Sequence, residues 1–269
     1  MFKENEKNGI KYFTSNKLEG LHHAFTTRGF DLRNEDERIL LLKKLDFCKI
    51  KIDPEQRNLP EDYFTEETEE IFEENKKICP HIMPKQEHTA NIAIIDCIED
   101  TKKDFKDTDG IIITIPNIPV VLCFADCVPV VLFSKKDNAL AVLHAGWRGT
   151  AASIVKKACK IMTEDMQIEP KNIKAAIGAC ISKEHFEVSE EIKTALEYSL
   201  DKDYDDIFWD NKADLKKINA YQAIETGIMD IDIMEYCTCD NNDLFYSYRK
   251  ENQTPKRHGV IAQLKEDLG

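Results

Sequence analysis

The chain has 269 residues, enough for one large domain or two modest ones, and 42% hydrophobic with 32% charged residues is the composition of a globular, rather polar protein. Its formal charge of −13 argues against nucleic acid or an anionic membrane as partner, because neither phosphate backbones nor anionic lipids attract such a field. No apolar run approaches the ~20 residues of a membrane span, and the opening MFKENEKNGIKYF lacks the apolar centre of a signal peptide, so a cytoplasmic protein is the expectation.

In chain order, residues 21–27 read as a short strand closed by the turn signal Arg28-Gly29. Residues 34–47 carry helical periodicity through Ile39, Leu41, Leu42 and Leu45, with Asn34 or Asp36 as cap. Residues 53–77 are acidic and weakly amphipathic; they read as a solvated surface insertion whose second half is an exposed helix. Strands are expected at 91–97, 111–115 and 119–124. The runs VPVVLFS (128–134) and ALAVLHA (139–145) then flank a turn at 135–138 and are expected to pair as an antiparallel hairpin. One helix is expected over 150–162, with Ile154, Ala158, Ile161 and Met162 on one face, followed by a strand at 173–177 that ends at Gly178. Helices at 189–200 and 214–226 begin on the caps Ser189 and Asp214, and Gly227 stops the second. The last strands are expected at 244–248 and 259–264. Strands and helices mix without strict alternation, which predicts a single α/β (α+β) domain of mixed central sheets flanked by helices, and not a doubly wound parallel sheet. The dinucleotide, P-loop and hydrolase-elbow motifs are all absent from the sequence.

The hairpin carries the chemistry. It would place Asp126 and Cys127, at the entrance of the first run, beside His144, Trp147 and Arg148 at the exit of the second. A thiol and an imidazole brought together suit a metal site or a nucleophile–base pair. His88, just ahead of the strand from residue 91, is a third candidate. Two histidines, one cysteine and an open fourth position describe a zinc site of the catalytic type, and sulfur with nitrogen donors disfavours magnesium and calcium. The nine cysteines form no CxxC pair; most read as small buried residues or free thiols, and Cys237-Thr-Cys239 is a weak metal signal.

From about Ala24 to Leu264 the chain resembles the YfiH-like family, long described as multicopper polyphenol oxidases or laccases and now as purine nucleoside phosphorylases. The motifs are Thr27-Arg28-Gly29, Gln86-Glu87-His88, Asp109-Gly110, Ala125-Asp126-Cys127-Val128-Pro129 and His144-Ala145-Gly146-Trp147-Arg148-Gly149. They continue in Ile177-Gly178-Ala179-Cys180-Ile181, Phe186-Glu187-Val188, Cys237-Thr238 and Phe245-Tyr246-Ser247-Tyr248-Arg249. The chain departs from the pattern at Phe30, Thr89 and Ala179, none of them a candidate ligand.

The resemblance implies a zinc ion held by His88, Cys127 and His144. It also implies phosphorolysis of adenosine, inosine, guanosine and methylthioadenosine, with deamination of adenosine. Zinc chemistry of this kind activates water, and Asp126 or Glu87 are candidates to move the proton. Arg28, Arg148 and Arg249, with Gln86, are the candidates for substrate and phosphate, since a guanidinium fork matches phosphate oxygens. Two other activities attach to the same residues. A cysteine hydrolase or amidase of peptidoglycan editing would use Cys127 as nucleophile and His144 as base, as a similarity of fold to a toxin deamidase suggests. A copper oxidase is less favoured: with seven histidines and no His-X-His pair, the chain lacks the imidazole-rich sites copper prefers.

Overall fold

The computed structural model describes residues 1–47 and 79–266; the acidic insertion expected at 53–77 lies outside them. Phe2–Lys7 (β1), Ile10–Ser15 (β2), His22–Thr26 (β3), Val120–Phe124 (β6) and His258–Gln263 (β13) form one antiparallel sheet in the order β1-β2-β3-β13-β6. Ile92–Ile95 (β4), Gly110–Ile113 (β5), Val128–Ser134 (β7), Ala139–Ala145 (β8), Ile173–Ile177 (β9) and Asp230–Ile233 (β12) form a second, in the order β12-β9-β7-β8-β5-β4. Its parallel pairs are the outermost two, β12 with β9 and β4 with β5; the inner pairs are antiparallel. Phe208–Trp209 (β10) and Lys212–Ala213 (β11) make a small separate hairpin.

The sheets face each other. Strand side chains alternate between faces, so Val131 and Phe133 of β7 meet Phe25, Leu122 and Phe124 of the first sheet in one core. Val130 and Leu132 point the other way, into a second core. That core is covered by Ile154–Lys160 (α3) and Leu215–Glu225 (α5), which contribute Ile154, Val155 and Ala158, and Leu215 and Ile218. The far face of the first sheet buries Val121 and Ile261 against Leu41 and Leu42 of Glu35–Lys44 (α1). Strands covered on both faces need continuous apolar sequence, which is why β7 and β8 are buried at all seven positions each. The mixed α/β architecture expected from the sequence is the one observed. The expected hairpin is β7 with β8, in register from Val128↔Ala145 to Ser134↔Ala139, so its two polar clusters share one end.

Two expectations fail. The helix over 150–162 is broken into Trp147–Ala151 (α2) and α3, with Ser153 left-handed at φ 60°, and continues past Lys160 as a wide π turn. The Thr150 carbonyl, which a continuous helix would pair with residue 154, instead accepts bonds from Ser153 N–H (2.9 Å) and the buried Gln222 amide (2.8 Å). Residues 244–248 are not a strand. Asn241 and Glu251 take their amides locally: Phe245 N–H donates to Asn241 O and Ser247 N–H to Glu251 Oε1, both at 3.0 Å, the turn chemistry of an Asp-Asn-Asn-Asp run. Glu190–Glu197 (α4) and α5 begin on Ser189 and Asp214 as expected.

His23 on β3 and His258 on β13 are buried, and burial pushes their pKa down from 6.5 to about 4 and about 3. The unfolded chain takes up these protons below about pH 6.5 while the folded chain resists. Their contribution is therefore intact above that pH and is lost as pH falls toward 4, at roughly 1.4 kcal/mol per pKa unit for each group. Among the described residues neither ring nitrogen of His258 has a hydrogen-bond partner. His258→Leu is expected to flatten the loss of stability between pH 6.5 and 4, read as urea midpoints; an unchanged pH dependence would contradict the assignment.

Candidate metal centre and its cavity

Three chain segments converge where the two sheets part. Cys127 lies in the crossover from β6 of one sheet to β7 of the other, His144 is the penultimate residue of β8, and His88 sits in the loop before β4. Their ligand atoms all lie within 4.8 Å of one another. The sequence-predicted trio is thus brought together: His88 exposed, Cys127 half-buried, His144 buried.

Asp109 organises the group. It is fully buried at the entry to β5. Its Oδ1 accepts the His88 amide at 3.0 Å and lies 2.7 Å from His144 Nδ1; its Oδ2 accepts the amides of Glu87 and Thr89 and the Thr89 hydroxyl. One carboxylate therefore holds the loop carrying the first histidine, whose φ of 62° is unfavourable for a residue with a side chain, and fixes the ring of the second. With Nδ1 engaged, His144 turns Nε2 toward Cys127. Burial would raise the Asp109 carboxyl, but the bonds from His144 and Thr89 outweigh it and hold it at about 2.

The thiol and imidazole polarise each other. Burial would push Cys127 up, but the His144 charge and hydrogen bonds from both histidines bring it down to about 6. Burial would likewise lower His144, and the Cys127 charge with the Asp109 contact raises it to about 9. The site thus favours a thiolate, the form in which cysteine binds metals. Gly146 makes the space: a Cβ there would stand 2.9 Å from His88 Cδ2 and 3.1 Å from Cys127 Sγ. One thiolate and two imidazoles, one backed by a buried carboxylate, fit zinc in the catalytic arrangement. A second such group, His185, Cys237 and Asp240, is accounted for by the His185–Asp240 hydrogen bond of 2.6 Å and the Ser182 amide on Cys237 Sγ.

The trio opens into a cavity of about 390 Å³, within the range of small-molecule sites. Trp147, Phe186 and Tyr248 supply aromatic wall, Ile181 and Leu215 apolar wall. Of the predicted arginines, Arg148 and Arg249 line it. Arg148 packs on the Trp147 ring at 4.3 Å. Arg249 is set by its amide on Asp126 Oδ2 (2.7 Å) and its guanidinium on the His185 carbonyl (2.6 Å).

Arg28 is not in the lining, against expectation: its guanidinium is held by the Asn242 carbonyl and Glu251 and lies over Tyr246. Gln86 lines the cavity, but both ends of its amide are taken by the Cys123 backbone, so it braces the end of β6. Neither proton-shuttle candidate is free. Asp126, left-handed at φ 85°, accepts the Thr238 hydroxyl at 2.5 Å as well as the Arg249 amide, and Glu87 pairs with Lys85 at 2.8 Å. Sequence reasoning missed Asp109 as the organiser and missed Arg33 and Arg257, which also line the cavity. An Asp-Gly beside an apolar run was the available signal for the first; the two arginines have none, since they meet only once the pairing of β3 with β13 brings the segment after β3 to the one before β13.

Residues 65–264 match the family model described as multi-copper polyphenol oxidoreductase laccase. The chain is 32% identical over 195 residues to a purine nucleoside phosphorylase of Staphylococcus epidermidis, covering 68% of this chain and 72% of that one. It is 30% identical over 257 residues to the purine nucleoside phosphorylase YlmD of Staphylococcus aureus, covering 91% and 92%. Among solved structures, YlmD from Geobacillus stearothermophilus superimposes with a TM-score of 0.78 at 19% identity, over 98% of this chain and 99% of that one. The Bacillus licheniformis hypothetical protein YfiH gives 0.65 at 25% identity, over 68% and 74%. Among the described residues no helix is long and apolar enough to cross a membrane.

Proposed function

This chain belongs to the family described as multi-copper polyphenol oxidoreductase laccase, and from that membership and its cavity we propose that it is a zinc-dependent purine nucleoside phosphorylase that also deaminates adenosine. The observation that carries the reading is the trio of His88, Cys127 and His144, oriented by Asp109, in the wall of a nucleoside-sized cavity that also presents arginines. Relatives named purine nucleoside phosphorylase that match most of the chain support it. The donor set favours zinc over the copper of the family's description. In this reading the protein works as one cytoplasmic domain on adenosine, inosine, guanosine and methylthioadenosine.

In phosphorolysis a phosphate oxygen bonds to the ribose anomeric carbon while the bond to the purine nitrogen breaks. The bonding pair leaves with the base, which takes up a proton, and ribose 1-phosphate is the second product. The purine stacks among Trp147, Phe186 and Tyr248. Arg148, steadied by the Trp147 ring, and Arg249, positioned through Asp126, supply donors and positive charge toward the charge that develops on the departing purine. A zinc ion on His88, Cys127 and His144 would supply a Lewis acid with an open coordination position.

Zinc-loaded protein is expected to convert adenosine and phosphate to adenine and ribose 1-phosphate, and adenosine alone to inosine and ammonia. Absence of turnover of any purine nucleoside would overturn the reading. One observation favours a second reading: Cys127, His144 and Asp109 also stand in the order nucleophile, base, orienting carboxylate. A cysteine hydrolase acting on cell-wall peptide would be trapped at Cys127 by an electrophilic substrate analogue and would ignore chelators.

A further inference from the structure

Arg33 and Arg257 are far apart in sequence but are fastened together by one carboxylate. Asp31 Oδ1 accepts the Arg33 amide at 3.1 Å and the Arg257 amide at 3.0 Å. The Leu32 amide, between them, donates to the Arg257 carbonyl at 2.9 Å. Asp31 is thereby engaged with the backbone of both arginines. Among the described residues the Arg257 guanidinium donates only to the carbonyls of Thr254 and Lys256, and neither arginine side chain is ion-paired to a carboxylate. Both line the cavity that holds His88, Cys127 and His144.

Two like charges held side by side repel each other, and Asp31 spends its Oδ1 on the two backbone amides. In a chain of net charge −13 carboxylates are plentiful, yet among the described residues none forms an ion pair with either arginine. The repulsion is visible in Arg257, whose guanidinium is held below its usual range first by burial and next by the Arg33 charge. Such an arrangement is stable with a dianion between the two forks, since paired guanidinia match tetrahedral oxyanions through charge-assisted bonds.

We propose that Arg33 and Arg257, pinned by Asp31, form the oxyanion subsite of this cavity and receive inorganic phosphate. The assignment rests on the phosphorylase reading for its catalytic meaning, but not for its binding. It moves the phosphate away from Arg28, which Glu251 already neutralises, and leaves Arg148 and Arg249 to the rest of the nucleoside site. The cavity then has a division of labour: an anion end at the β3–α1 and β13 side, and an aromatic end at Trp147 and Phe186.

The test uses Arg33→Gln and Arg257→Gln, which remove a guanidinium and keep the backbone amides on Asp31. The exposed Arg33 side chain carries no folding role, so that variant alone is informative if the other melts early. Each is expected to raise the KM for phosphate by about tenfold or more, the worth of a lost charge-assisted bond pair, while the KM for nucleoside moves less than about twofold. Equal phosphate KM in wild type and variants would overturn the subsite and leave the phosphorylase reading standing. If wild type turns over no nucleoside, that reading fails, and calorimetric titration with inorganic phosphate decides the subsite. Binding by wild type lost in the variants supports it; binding that is absent in wild type or unaltered in the variants overturns it.

Discussion

Replacing His88 with alanine is expected to strip stoichiometric metal from the purified protein and lower nucleoside turnover by more than about a hundredfold. The bound follows from the ligand's role: loss of a partner behind a ligand already costs roughly 10- to 100-fold in affinity or activity, and a ligand itself is worth more. The two effects are expected together because the remaining donors, Cys127 and His144, make only a two-point site. Stability is expected to change little, since His88 is exposed on a loop and its backbone stays on Asp109. Cys127→Ser tests the same claim from the half-buried side. Elemental analysis, melting and phosphorolysis on one preparation check it; full metal content in His88→Ala would remove His88 from the ligand set.

Asp109→Asn is expected to lower zinc affinity by roughly 10- to 100-fold without touching a ligand. An asparagine keeps the shape but not the charge, and it no longer fixes the proton on His144 Nδ1, now 2.7 Å from the carboxylate. The ring is then free to take the tautomer that blocks Nε2. Asp109→Ala goes further. It leaves the amides of Glu87, His88 and Thr89 without their acceptor, at about 1–3 kcal/mol for each group that stays buried and unpaired. The asparagine variant should therefore weaken metal with modest loss of stability, and the alanine variant should weaken both. Competition against a chromophoric chelator, with urea denaturation alongside, separates them; wild-type affinity in both variants would mean that Asp109 orients nothing.

The part of this site legible in the sequence is the part that lies close along the chain. Cys127 and His144 are 17 positions apart, across one hairpin, and the four-residue turn between two apolar runs of equal length fixes the register of β7 on β8. His88 was within reach because the Gln86-Glu87-His88 motif carries the family resemblance. What was hidden depends on crossovers between sheets. β13 runs between β3 and β6, and only that order sets Arg257 beside Arg33; β4 and β5 pair in parallel, and only that brings Asp109 under the His88 loop. Arg28 misled because a glycine neighbour suggests a ligand turn, whereas Glu251, more than two hundred residues later, neutralises it. The broken helix after residue 151 has the same origin: local periodicity is sound, but Gln222 from α5 captures the Thr150 carbonyl.

The most direct test of the account is phosphate-dependent release of adenine from adenosine by one preparation measured as purified, after exhaustive chelation, and after zinc is restored. The cavity geometry predicts that turnover disappears with the metal and returns with zinc, with ribose 1-phosphate formed in equal amount to the free base. Turnover that survives chelation unchanged, or a chelated enzyme whose only reactivity is covalent trapping at Cys127, would contradict a metal centre built from His88, Cys127 and His144.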